Sequence, residues 1–117
     1  MKITKEIKPI LKYEYNTKSK VSFDKKELGI ILKLYGQMVA IGEWRDYGIS
    51  IMRDCSVFSI YRHTSENPLY KVKKIEPNSK HHKQFSVIAM DGNILGSSHN
   101  LSKVLKPLEK KMIRIVK

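Results

Sequence analysis

A chain of 117 residues with 41% hydrophobic and 29% charged side chains has room for one core, no room for a second domain, and too many aliphatic and aromatic residues for wholesale disorder. No apolar run approaches the roughly 18 to 20 residues of a bilayer-spanning helix, and charge interrupts the opening MKITKEIKPILKYEY too often for a signal peptide, so a cytoplasmic protein is expected. A net charge of +12 points to an anionic partner, while the single Cys55 excludes an intrachain disulfide and a cysteine-rich zinc site.

Residues 1–20 scatter Ile7, Ile10, Leu11, Tyr13 and Tyr15 among lysines around Pro9, with no period of two or 3.6, and read as a basic, flexible arm. Val21-Ser22-Phe23 reads as a short strand. Asp24 followed three residues later by Glu27 is a capping-box pattern, so a helix starts there. Leu28, Ile31, Leu32, Tyr35, Met38 and Val39 follow the helical spacing of one buried stripe, and Gly42 suits the position just past the helix end. Gly29 and Gly36, seven apart, predict a close approach of another element.

After Gly42 the period changes to two. Tyr47, Ile49 and Ile51 alternate with small residues, Arg53-Asp54-Cys55 turns the chain, and Val57 to Tyr61 returns it. Thr64 to Pro68 is turn chemistry, Leu69 to Ile75 a third strand, and Pro77 to Lys83 a polar basic loop. Gln84 to Met90 is a fourth strand, Asp91-Gly92-Asn93 a tight turn and Ile94 to Gly96 a short fifth. Ser98 or Asn100 caps a closing helix with Leu101, Val104, Leu105 and Leu108 on its apolar side; Pro107 delays or bends that helix. The fold class is α+β: a helix, an antiparallel meander of four to five strands, and a closing helix on the same face as the first. The expected divisions are an arm over 1–20, one domain over 21–109 and a basic tail over 110–117.

The block LYGQMVAIGEWRDYGI, the following VFSIYRHTSENPLYKV, the strand pair FSVIAMDGNIL and the late LSKVL resemble a bacterial family of uncharacterised proteins, domain of unknown function 2794. The likeness covers roughly Val21 to Leu108. It implies a compact cytoplasmic domain and no particular activity.

Candidate chemistry is thin. Glu43, Asp46 and Asp54 are carboxylates without an established separation or raised pKa, and Glu43, Arg45 and Asp46 read as ion pairing at the helix-to-strand corner. Trp44 reads as the anchor of that corner, with a stacking platform as the other use of an indole. His81-His82 lack the i, i+4 spacing of a helical metal pair, and with His63 and His99 could meet only through the fold. Cys55 has no motif partner to act as its base. Asp91-Gly92-Asn93 is too short for a calcium loop, and Gly92 and Gly96 precede no Gly-Lys-Ser/Thr. No cofactor is called for, and an enzyme is the least supported class.

Charge carries more information. Residues 1–23, 24–66, 67–102 and 103–117 have net charges of +4, 0, +3 and +5, a neutral centre with basic flanks. A lysine-rich composition could raise the total without any binding role. The phosphate-facing candidates are Lys71, Lys73, Lys74, Lys80, His81, His82 and Lys83 near Tyr70 and Phe85, joined by Lys103, Lys106, Lys110, Lys111 and Arg114. The order helix, strands, helix is loosely that of double-stranded-RNA-binding domains, without their lysine cluster at the start of the closing helix. These features lead to a non-enzymatic nucleic-acid-associated module that binds RNA or DNA mainly through phosphates. The alternative is a protein-interaction or assembly domain, homodimeric through a sheet edge or the closing helix; a membrane is not among the expected partners.

Overall fold

The computed structural model describes residues 2–3, 21–63, 67–76 and 82–116. Helix α1 (Lys25–Ala40) begins with the full capping box: Asp24 Oδ1 accepts from the Glu27 amide at 2.7 Å, and Glu27 Oε1 accepts from the Asp24 amide at 2.8 Å. The helix ends in a Schellman turn, in which the Gly42 amide donates to the Val39 carbonyl and the Glu43 amide to the Met38 carbonyl, both at 2.9 Å. Gly42 makes this turn at φ +82, a left-handed conformation that a Cβ disfavours.

The buried stripe of α1 keeps four of the six expected residues, Ile31 and Met38 buried and Leu28 and Tyr35 packed half-buried against the core, and differs at the other two. Glu27, Ile31, Leu34 and Met38 face inward, whereas Leu32 and Val39 are exposed. An apolar-only pattern rejects Glu27 and so rotates the stripe toward Leu28 and Leu32. Gly29 and Gly36 also correct an expectation: a Cβ at either would meet nothing within 4 Å, because both lie on the side away from this stripe.

Strands β1 (Lys2–Ile3), β2 (Asp46–Ile51), β3 (Cys55–Tyr61), β4 (Tyr70–Ile75), β5 (Gln84–Ala89) and β6 (Ile94–Ser98) form one sheet in sequence order. From β2 to β6 it is the antiparallel meander anticipated from the alternating pattern. Lys2–Ile3 departs from the featureless arm by pairing parallel to β2; residues 4–20 of that arm lie outside the described residues. Val21 to Phe23 is not a strand, yet it is tied to the sheet where the Val21 amide donates to the Met52 carbonyl at 3.2 Å and Ser56 Oγ to the Val21 carbonyl at 2.6 Å. Gly92, at φ +92, supports the turn between β5 and β6, and Asp91 Oδ1 accepts from the Asn93 amide at 3.0 Å.

Asn100 is the residue that caps the closing helix, its Oδ1 accepting from the Lys103 amide at 3.2 Å. The helix breaks at Leu105 into α2 (Leu101–Val104) and α3 (Lys106–Val116), so that Pro107 falls in the first turn of α3, where an amide has no helical acceptor to lose. Residues 110–116, expected as a tail, are the last turns of α3.

Alternate strand residues Phe58, Ile60, Val72, Phe85 and Val87 point to one face, where they form a single cluster with Ile31, Leu34 and Met38 of α1 and with Leu101, Val104, Leu105 and Leu108. Both helical segments therefore cover the same face. Among the described residues no helix is long and apolar enough to cross a membrane.

Candidate functional site

The corner between α1 and β2 is built around Trp44, which is 2% exposed. Its indole lies 6.2 Å from the Tyr35 ring and 6.3 Å from the Tyr70 ring, and the cluster continues through Tyr47, edge-on to Tyr35 at 4.9 Å and stacked on Phe58 at 4.6 Å. Burial, and then the nearby Asp46 carboxylate, push the Tyr35 and Tyr47 hydroxyls above their ordinary pKa, so both stay protonated. The cluster is an anchor.

The charged residues flanking Trp44 do not pair with one another. Glu43 Oε1 accepts from Arg62 Nη2 at 2.6 Å, and the Arg62 Nε also donates to the Glu43 carbonyl at 3.4 Å. Arg45 is exposed and contributes its backbone amide to the Tyr61 carbonyl at 2.8 Å, while Asp46 is buried and accepts from the Tyr47 amide at 2.8 Å. The expected pairing within Glu43-Arg45-Asp46 is thus replaced by a cross-connection to the residue following β3.

The basic candidates fall into three groups. Lys71 and Lys73 alternate with the core residues of β4 and so lie on the sheet face away from the helices, Lys71 between Ser59 and Ile88 and Lys73 between Val57 and Ser86. Lys74 points the opposite way and is buried, donating to Glu27 Oε1 and to the Ser22 carbonyl, both at 2.8 Å. Lys83 also turns to Glu27, 2.9 Å from Oε2, with Asp24 at 3.9 Å. Burial alone would raise the Glu27 pKa, but hydrogen bonds from Lys74, the Asp24 amide and Lys83 outweigh it and hold the carboxyl below its ordinary value. Lys83 is raised by its hydrogen bond to Glu27 in spite of desolvation. Lys74 and Lys83 are therefore neutralised internally. Lys80 and His81 lie outside the described residues.

Lys103, Lys106, Lys110, Lys111 and Arg114 form the third group, all exposed on α2 and α3. Lys106, Lys110 and Arg114 are spaced four apart, on one ridge of α3 opposite Leu108 and Met112. No carboxylate among the described residues forms an ion pair with any of the five. Lys103, Lys106 and Lys110 also line a groove between α2, α3 and the outer side of β6.

Cys55 Sγ lies 4.0 Å from Met52 Sδ, a thioether that cannot take its proton. No group of three or more His, Cys, Asp or Glu among the described residues gathers as a metal site. Sequence reasoning missed the Glu43 to Arg62 connection; its one available signal was the rarity of arginine, four against nineteen lysines.

Residues 21–105 match a family model described as "Protein of unknown function (DUF2794)". No curated protein and no solved structure matches the chain.

Proposed function

The chain belongs to the DUF2794 family of proteins of unknown function, and we propose that it is a non-enzymatic, cytoplasmic module that holds nucleic acid mainly through phosphates contacted by α2 and α3. One observation carries this reading: five exposed cations lie together on consecutive helical segments with no carboxylate partner among the described residues. Like charges four apart on a helix repel by a few tenths of a kcal/mol per pair, and a row of phosphates relieves that repulsion. A lysine-rich composition alone does not account for the distribution, since Lys74 and Lys83 of the same chain are matched to Glu27 while this ridge is left unmatched.

The ridge supplies point charges and no base-reading surface, so binding to RNA or DNA should depend little on sequence. Titration of labelled duplex and single-stranded oligonucleotides at several salt concentrations tests the reading. Binding that weakens with salt, and weakens further when Lys106 and Lys110 become glutamine, supports it. Absence of affinity at about 50 mM salt overturns it.

A second reading, assembly with another protein, has its own observation. Edge strand β6 exposes Ile94 at 65% and Leu95 at 37%, and an exposed edge is a template for strand addition. Concentration-dependent sedimentation of the isolated protein separates the two, because phosphate binding needs no self-association.

A further inference from the structure

A cleft of about 320 Å3 opens where the end of α1, the start of β4 and the last turns of α3 converge. Its floor is apolar and aromatic: Met38 and Trp44 are buried, and Leu69 and Tyr70 half-buried. Its rim is charged, with Arg62 from beyond β3, Lys111 and Arg114 from α3, and Glu43. Three cations against one carboxylate leave the rim at +2.

Arginine is the informative residue type. The chain has nineteen lysines and four arginines, yet two of the four arginines line this one cleft. Guanidinium groups differ from ammonium groups by offering a planar fork of donors that fits a phosphate or carboxylate through two parallel hydrogen bonds. Arg62 is oriented by Glu43, which holds Nη2 at 2.6 Å and receives Nε at its carbonyl, leaving Nη1 without a partner among the described residues.

The floor specifies what the anion is attached to. The Tyr70 ring lies 6.3 Å from the Trp44 indole and carries the Lys111 ammonium over it, 5.8 Å from its centroid. A planar, polarisable group can replace the ammonium over that ring, which frees Lys111 for the phosphate. Bare phosphate would leave the aromatic floor unused, and a neutral aromatic compound would leave the cations unmatched. The volume lies at the small end of ligand pockets, which run from about 300 to 1,000 Å3.

We infer that this cleft binds a single nucleotide unit, its base over Tyr70 and its phosphate among Arg62, Lys111 and Arg114. The nucleotide is either free or an unpaired residue of a bound strand. The strand-borne source rests on the phosphate-binding reading of α3 above; the free source does not.

Calorimetric titration with adenosine 5′-monophosphate, adenosine and inorganic phosphate tests the inference, together with a single-stranded oligonucleotide and its duplex. For a free ligand, the monophosphate binds at least about tenfold more tightly than adenosine or phosphate, Arg62→Lys lowers its affinity about tenfold, and Lys106→Gln with Lys110→Gln leaves it unchanged. For a strand-borne ligand, Arg62→Lys weakens the single strand more than the duplex. Circular dichroism melting confirms that the exposed Arg62→Lys substitution leaves the fold in place. If phosphate binds as tightly as the monophosphate, the base is not recognised and the inference is overturned. If the monophosphate does not bind at millimolar concentration and Arg62→Lys leaves single-strand affinity unaltered, it is overturned even where the salt titration succeeds. If the monophosphate binds and no oligonucleotide does, the cleft inference stands and the nucleic-acid reading fails.

Discussion

Lys74 Nζ lies 2.8 Å from Glu27 Oε1, and the two side chains retain only 5% and 7% of their exposure. The pair joins the first turn of α1 to the middle of the sheet across 47 residues of sequence. Its desolvation is offset by further bonds: the Asp24 amide and Lys83 also donate to Glu27, and Lys74 also donates to the Ser22 carbonyl. One carboxylate thus completes a helix cap and closes the helix onto the sheet.

Removing that carboxylate should be costly. Glu27→Gln leaves buried Lys74 with only the more distant Glu76 carboxylate, 3.9 Å away, as counter-charge and should destabilise the fold by about 3–5 kcal/mol in urea unfolding, whereas Glu27→Leu combined with Lys74→Met should recover much of the loss. A loss under about 0.5 kcal/mol in the single variant would contradict the structural role.

The same site sets an acid limit. Because the folded pKa of Glu27 lies below its ordinary value of 4.5, the unfolded chain binds more protons in that interval. The stabilisation is present above the unfolded pKa and is lost as pH falls through the folded one. Lys83 acts in the opposite direction: its pKa is raised above 10.5, so its contribution is complete below that value and disappears as pH rises through the raised one. Unfolding free energies measured from pH 2 to 6 should decline toward acid less steeply in Glu27→Gln than in the parent; parallel profiles would remove Glu27 from the explanation.

Trp44 should behave as a core residue. Trp44→Ala removes the indole that contacts Tyr35 and Tyr70 and should cost about 3–5 kcal/mol in equilibrium unfolding. A variant of unchanged stability that had lost ligand affinity would make Trp44 a recognition residue instead.

Gly42→Ala tests the end of α1. At φ +82 the cost comes from backbone conformation, since a Cβ there would meet nothing within 4 Å. A loss of about 1–2 kcal/mol is expected, measured by thermal unfolding. No loss would mean that the turn can re-form with φ below zero.

The binding prediction separates the basic groups. With five contacts on α2 and α3, log affinity should fall against log salt by roughly 0.7–0.9 per phosphate contact, and Lys103→Gln, Lys106→Gln and Lys110→Gln together should reduce the slope by about 2–3. Lys71→Gln with Lys73→Gln, on the other sheet face, should leave it unaltered. If the second pair flattens the slope and the first three do not, the interface belongs on the sheet.

Features set by neighbours within a few residues were legible in the sequence. The spacing of Asp24 and Glu27 marked the start of α1, Gly42 marked its end, and the period-two runs from Tyr47 onward announced the meander, because capping, left-handed turns and strand alternation are local constraints. The accumulation of positive charge in residues 103–117 was equally plain. Tertiary structure decided which charges remained available. Lys71, Lys73 and Lys74 lie within four residues, but strand alternation turns Lys74 into the core, and only the packing of α1 against β4 supplies Glu27 to receive it. That buried carboxylate also rotated the stripe of α1 away from the one an apolar count predicts. Glu43 likewise meets Arg62 rather than Arg45 because β2 and β3 bring residues 19 apart together. Partners this far apart in sequence are chosen by strand register and helix packing, and no pattern confined to one segment encodes them.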